Sequence, residues 1–276
     1  MADAAPVTRH YASDGIAERL IAALRAASGP DVPINPDTLA PLDHFHGRGV
    51  VATKELVAIL DPRPGEEILD IGCGIGGPAR WIAAHFGCRV TGIDLTEAFC
   101  RAAQALGEAT GLSDRVAIRH GSATDLPFPD AAFDRAYSQN VVMNIADKAA
   151  FYREAFRVLR PGGVLALSNI VAGPGGPPIF PVPWAASPET SFLATVDETR
   201  GQIAAAGFEI LSFRETWGEV VEQQRAFRRR LETEGFPALG VHVLIGDRMR
   251  EYQRNSIRSM EERRAEPIEV LARRPA

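Results

Sequence analysis

Ile68-Leu69-Asp70-Ile71-Gly72-Cys73-Gly74-Ile75-Gly76-Gly77-Pro78 decides how the rest of the chain is read. Glu67 to Ile71 is a short, mostly branched apolar run and predicts a strand. The glycines after it predict a turn whose backbone can approach a ligand closely, and Pro78 predicts the first turn of a helix. Two ligand classes compete for such a unit. Gly72, Gly74 and Gly77 have the spacing of a dinucleotide-binding turn, with an acid, Asp94, further along the chain. Asp70 speaks against that reading, because it ends the strand where a diphosphate would lie. At about 5 Å and an effective dielectric near 20, each carboxylate–phosphate pair would oppose binding by roughly 3 kcal/mol. A ligand with a cationic head reverses the sign, and Asp94 can then accept from the hydroxyls of a ribose.

Outward from this turn, short β-branched runs alternate with helical patterns, the mark of a parallel sheet covered on both faces. The expected strands are Glu67–Ile71, Arg89–Ile93, Val116–His120, Phe133–Ser138 and Gly163–Asn169, followed by Phe208–Arg214 and Ile268–Ala272. A helix is predicted from its N-cap Asp147 to Leu159, stopped by Arg160-Pro161-Gly162-Gly163. Ser13 to Ala27 repeats Ile16, Leu20, Ile21 and Leu24 at helical spacing, and Gly29 to Pro41 reads as a linker. Val171 to Pro188 is rich in proline and glycine and predicts an irregular excursion. Glu219–Glu234 and Asp247–Ala265 are helical and charge-rich. The expected division is a helical lid over 1–48, a core over 49–216, a helical insertion over 217–265 and a final strand over 266–276. The fold class is α/β, a doubly wound, mostly parallel sheet of seven strands.

The chain has 276 residues, 46% hydrophobic and 24% charged, with a formal net charge of −5. That is enough apolar mass for a large core, and the acidic balance argues against a nucleic-acid partner. Apolar runs are broken well before the roughly 20 residues a membrane span needs. Met1 to His10 lacks the charged start and apolar run of a secretory leader. Cys73, Cys88 and Cys100 have no metal-type spacing, so a reducing, cytoplasmic setting without a metal site is expected.

Several motifs occur in order with the glycine turn: Asp94, Gly121-Ser122-Ala123-Thr124-Asp125-Leu126-Pro127-Phe128, Phe133-Asp134 and Leu159-Arg160-Pro161-Gly162-Gly163. Together they resemble the class I S-adenosylmethionine-dependent methyltransferases over roughly residues 49–215. The resemblance implies a Rossmann-like methyltransferase fold with an antiparallel final strand. It also implies S-adenosyl-L-methionine as cofactor, with Gly72 and Gly74 along its methionine portion and Asp70 receiving its ammonium. Asp94 would hold the ribose, Leu95 would cover the adenine, and Ser122-Ala123 would read the adenine edge, where relatives usually carry Asp in place of Ser122. Gln139 and Asn140 fall where the sulfur and the methyl acceptor would meet, or simply satisfy a strand end.

His10-Tyr11-Ala12-Ser13-Asp14 and Leu42-Asp43-His44-Phe45-His46-Gly47 resemble the lid of small-molecule methyltransferases: glycine/sarcosine and phosphoethanolamine N-methyltransferases, and sterol and tocopherol C-methyltransferases. Gly76-Gly77-Pro78-Ala79-Arg80 looks most like the sterol branch. By that resemblance Tyr11 would seat over the sulfonium and His44 or His46 would serve as general base; the two histidines read equally well as ordinary loop hydrogen-bonders. Asn140 and Asn144 stand where the phosphoethanolamine enzymes carry an Asp and a His, so that pair cannot move a proton here. Phe180, Trp184 and Phe192 predict an apolar wall beside the acceptor. Arg225, Arg228, Arg229 and Arg230 would be needed for a phosphorylated acceptor, but fit a solvated helix face better. The expected activity is methyl transfer to a small molecule, most simply to an amine nitrogen. The alternatives are a C- or O-methyltransferase of a prenyl, sterol-like or phenolic acceptor, and a non-catalytic cofactor-binding protein.

Overall fold

The computed structural model describes residues 15–44, 48–246 and 248–276. In chain order the helices are α1 Ile16–Ser28, α2 Pro36–Asp43, α3 Val50–Leu60, α4 Gly77–Phe86, α5 Glu97–Ala109, α6 Lys148–Val158, α7 Val196–Ala205, α8 Trp217–Glu234, α9 His242–Ile245 and α10 Arg248–Glu261. The strands are β1 Glu67–Ile71, β2 Arg89–Asp94, β3 Val116–His120, β4 Phe133–Gln139, β5 Leu159–Ala172, β6 Glu209–Glu215 and β7 Ala265–Arg273. They form one sheet in the order β3-β2-β1-β4-β5-β7-β6. β7 runs antiparallel to both β5 and β6, and the other pairs are parallel. This is the expected doubly wound architecture with a reversed last strand.

Helices cover both faces because alternate residues of the central strands are buried on each side. Leu69, Ile71, Ala136, Leu165 and Leu167 pack under α6 and α7 with Phe151, Ala155 and Ile203. Ile68, Val90, Tyr137 and Ala166 pack on the opposite face against Leu56 and Leu60 of α3 and Ala79 and Ile82 of α4. α1 and α2 lie outside α5, joined to it through Leu20, Leu24, Leu39, Phe99, Ala102 and Leu106. No helix among the described residues is long and apolar enough to cross a membrane.

The linker reading of Gly29–Pro41 is corrected, since Pro36–Asp43 is a helix. Asn35 caps it by accepting from the amides of Asp37 and Thr38, while the Thr38 hydroxyl answers the Asn35 amide. Pro36 occupies the first turn, where a missing N–H costs nothing. The excursion after β5 is also shorter than expected at its start. Pairing with β7 runs from Val164–Arg273 to Ala172–Ala265 and carries β5 three residues past Asn169.

Candidate functional site

The glycine turn lies at the C-terminal ends of β1, β4 and β2, where open parallel sheets place their ligands. Asp70 and Tyr137 are register partners on neighbouring strands, and the Tyr137 hydroxyl donates to Asp70 Oδ2 at 2.7 Å. Asp70 is only 2% exposed. Burial lifts its carboxyl to a pKa of about 7; the Tyr137 hydrogen bond pulls down and the nearby Asp94 charge pushes up. Tyr137 escaped the sequence reading, though its signal was available once β4 was paired beside β1.

The turn itself is shaped by left-handed glycines, Gly72 at φ 84°, Gly74 at 53° and Gly76 at 74°. The amides of Gly72 and Cys73 both donate to the Ile93 carbonyl, at 2.8 and 3.0 Å, which folds the turn against β2. A side chain at Gly72 would run into Val141, and one at Gly77 would run into the Asp43 backbone. At Gly74 no atom of the described residues stands within 4 Å of where a Cβ would be, so among them this part of the turn is open. Asp94 takes the Gly74 amide on Oδ2 and the Thr96 amide on Oδ1, each at 2.8 Å. It is half-buried, with lone pairs remaining, and burial raises its pKa against those two amides. A buried acid beneath an open glycine cradle, with a second acid at its rim, suits an ammonium-bearing nucleoside. The donor set fits S-adenosylmethionine.

Leu95 is half-buried, its carbonyl 3.0 Å from His120 Nε2. The Ser122 hydroxyl is folded back on its own turn, 2.8 Å from Thr124 Oγ1 and accepting the Thr124 amide at 3.2 Å, while Ala123 packs on the core. Asn140 is left-handed, φ 58°, and its amide donates to the Ser168 carbonyl at 2.7 Å. Tyr11 and His46 lie outside the described residues.

His44 does not suit the role of general base. It is fully buried, and desolvation, with the charges of Arg80 and Lys54, lowers its pKa to about 3, which makes it a weak proton acceptor. It stands instead in a line of buried polar groups. Its Nδ1 lies 2.8 Å from Thr53 Oγ1, and that hydroxyl lies 3.2 Å from the Gln139 amide at the tip of β4. On its other side Asp43, whose pKa burial raises, meets Arg80 Nη2 at 2.7 Å. Arg80 is itself fully buried and donates through Nη1 to the Ile75 carbonyl at 2.8 Å. The Gly76-Gly77-Pro78-Ala79-Arg80 run therefore joins the glycine turn to the end of α2. Residue type alone could not have shown that partner.

Where the sequence predicts an apolar wall, Trp184, Met143, Ile170, Val220 and Met260 form an apolar cluster flanked by Phe180, Leu193 and Trp217. Asn144 fastens this wall, donating from Nδ2 to the carbonyls of Trp184 at 2.8 Å and Thr190 at 2.7 Å. Lys148 adds a contact to the Phe192 carbonyl, its pKa lowered to about 8 by burial. Arg225 pairs with Glu261 and Glu222, Arg228 with Glu232, and Arg230 with Glu234, so these arginines line a helix face already matched by acids.

Residues 69–167 match the family model described as Methyltransferase domain. Over 129 residues the chain is 38% identical to a phosphoethanolamine N-methyltransferase of Triticum aestivum, covering 47% of this chain and 25% of that protein. Over 120 residues it is 41% identical to the 24-methylenesterol C-methyltransferase 2 of Oryza sativa subsp. japonica, covering 43% and 33%. The match thus spans a quarter to a third of these curated relatives. Among solved structures, a geranyl diphosphate methyltransferase in complex with GPP and sinefungin superposes with a TM-score of 0.73 at 19% identity, over 99% of this chain and 100% of that one.

Proposed function

We propose that this chain, which carries a methyltransferase domain at residues 69–167, uses S-adenosylmethionine to methylate a small-molecule acceptor, most simply at an amine nitrogen. The observation that carries this is Asp70: a buried carboxyl under the glycine turn that pairs with no cation among the described residues and is matched by an ammonium. When bound, the cofactor supplies a methyl group made electrophilic by its sulfonium. The chain's own residues hold and orient. Gly72 and Gly74 offer backbone, Asp70 takes the ammonium, Asp94 takes the ribose hydroxyls, and Leu95, Ser122 and Ala123 border the base. Gln139 and Asn140 bound the transfer point, where excluding water and aligning the acceptor favour in-line displacement without a strong base. Tyr11 and His46 remain candidates for the lid.

The lid is assigned to 1–48, the core to 49–216, the insertion to 217–265 and the closing strand to 266–276. Three free, buried cysteines are consistent with a cytoplasmic setting. The apolar wall around Trp184 favours, as a second reading, a prenyl, sterol-like or phenolic acceptor methylated on carbon or oxygen. Methyl transfer from labelled cofactor to panels of amines, phenols and prenyl compounds separates these readings. Tight binding of S-adenosylhomocysteine with no turnover on any panel would leave a non-catalytic binder. Uptake of NADH with S-adenosylhomocysteine ignored would overturn the proposal.

A further inference from the structure

The run Gly76-Gly77-Pro78-Ala79-Arg80 brings a charged side chain back beneath the glycine turn. Arg80 is fully buried, and its guanidinium is spent on three separate elements. Nη1 donates to the Ile75 carbonyl of the turn at 2.8 Å and to the Ala103 carbonyl of α5 at 3.3 Å, while Nη2 donates to Asp43 Oδ2 at the end of α2 at 2.7 Å. The two glycines that open the run make room for these contacts. A Cβ at Gly76 would stand 3.0 Å from Arg80 Nη1, and one at Gly77 would collide with the Asp43 carbonyl. Gly76 and Gly77 therefore serve the back of the turn, whereas the described residues leave Gly74 open.

The Ile75 carbonyl is the sensitive point of this arrangement. Ile75 lies between two left-handed glycines, Gly74 at φ 53° and Gly76 at 74°, whose backbone has many alternatives when nothing holds it. A guanidinium on that carbonyl fixes the peptide plane, because a charged donor bonds roughly twice as strongly as a neutral one. The fixed plane lies two peptide units on from the Gly74 amide, which donates to Asp94 Oδ2 at 2.8 Å. The path of the turn is thus held by Asp94 on one side and by Arg80 on the other. Arg80 cannot give up its charge, and a buried charge is tolerated beside its opposite. Asp43, 2% exposed, supplies that opposite from α2. Arg80 Nε and Asp43 Oδ1 are buried without a hydrogen-bond partner among the described residues, so the pair rests on the one bond between Nη2 and Oδ2.

We propose that Asp43 and Arg80 are positioning residues for the cofactor: buried out of a ligand's reach, they hold the path of Gly74 to Gly77 and make cofactor affinity depend on the seating of α2. This rests on the cofactor reading above and adds to it a contribution from a helix that precedes the sheet. The dependence is reciprocal. Whatever factor α2 adds to cofactor affinity through the pair, bound cofactor returns as protection of α2.

S-adenosylhomocysteine is the probe, with calorimetry and hydrogen exchange on the full chain. Asp43→Asn keeps the shape of the side chain and removes its charge; Arg80→Lys keeps the charge but replaces the planar fork by a single ammonium. Each is expected to weaken binding about tenfold, the lower end of what a hydrogen bond to a charged group is worth. The double variant is expected to bind no worse than the weaker single one, since the two side chains act as a unit. A pair that serves stability alone leaves the dissociation constant of the folded variants within about twofold of the parent, and that result overturns the proposal. In the parent, saturating S-adenosylhomocysteine is expected to slow amide exchange in α2 about tenfold more than in α7 on the opposite face of the sheet, the same factor returned. Equal protection of the two helices overturns the proposal, and does so even where a variant fails to fold. An excess that persists in folded Asp43→Asn overturns it too, because α2 would then be protected by another route. Failure of S-adenosylhomocysteine to bind the native chain overturns the cofactor reading itself, which distinguishes the two failures.

Discussion

At residues 70–77 the chain is shaped from within: three left-handed glycines and two amides folded onto the Ile93 carbonyl define the path. At residues 173–194 it is held from outside, by Asn144 on the carbonyls of Trp184 and Thr190 and by Lys148 on that of Phe192. The first region has few alternatives, since most side chains cannot adopt positive φ and a Cβ at Gly72 or Gly77 has no room. The second can be repacked by changing one donor. Under the proposed function the cofactor would rest on the rigid backbone and the acceptor against the wall that is easier to alter.

The junction behind the turn should break first. Arg80→Ala removes one member of a fully buried ion pair and strands Asp43, a loss of about 3 to 5 kcal/mol of folding stability measured by chemical denaturation. A loss under about 1 kcal/mol would mean that α2 is not anchored on the turn. Asp70→Asn has nearly as large an effect with the opposite sign. The folded state keeps the Asp70 proton up to about pH 7, whereas an unfolded aspartate releases it near 3.9. Across that window the native state binds more protons than the unfolded one, so stability falls as pH rises, and the penalty is complete above pH 7. Asparagine carries no such penalty. The variant should therefore exceed the parent at pH 8 by up to about 4 kcal/mol, match it near pH 4, and bind S-adenosylhomocysteine more weakly. In the parent that affinity should climb up to tenfold per unit from pH 5 toward 7 and level off above, as the carboxyl the ammonium needs becomes ionised. A flat profile, or a variant no more stable at pH 8, would show that Asp70 is not held in its proton-bound form.

Asp94→Ala tests the rim of the same turn. Removing it frees the Gly74 and Thr96 amides and takes away the acceptor assigned to the ribose, so cofactor affinity should drop by about 1.5 to 3 kcal/mol in calorimetry. An unchanged dissociation constant would contradict the assignment.

The contrast between the two regions also explains what could be read in advance. β1 and β3 coincide with their predicted spans, and Asp147 caps α6 by accepting the Ala150 amide, because periodicity and capping are local properties. Asp70 and Asp94 could be singled out as candidates because an acid at the end of a buried strand is chemically conspicuous. Pro36–Asp43 was missed because its prolines were weighed as breakers, while Asn35 and Thr38, three apart, carried the capping signal. Arg80, Thr53 and Tyr137 acquire their roles from partners 37, 86 and 67 positions away, a distance at which residue type says nothing. The surroundings of His44 were hidden for the same reason, since only the packing around it shows that it is buried and near two cations.

Asn144 gives the smallest effect and the sharpest test of the difference. Its amide stands where the sequence resemblance led us to expect a proton-carrying residue, and here it is spent on two carbonyls of the aromatic strap. Asn144→Ala withdraws those bonds from acceptors that tolerate loss, so stability should fall by only about 1 to 2 kcal/mol. S-adenosylhomocysteine affinity should stay within about twofold, because no bond of the glycine turn is touched. With whichever acceptor proves active, KM should rise more than kcat falls, since Trp184 would lose its seat while the transfer point kept its geometry. A kcat collapse at constant KM would instead place Asn144 at the reacting atoms. The acceptor side would then be fixed as rigidly as the cofactor side, and the division drawn between them would fail.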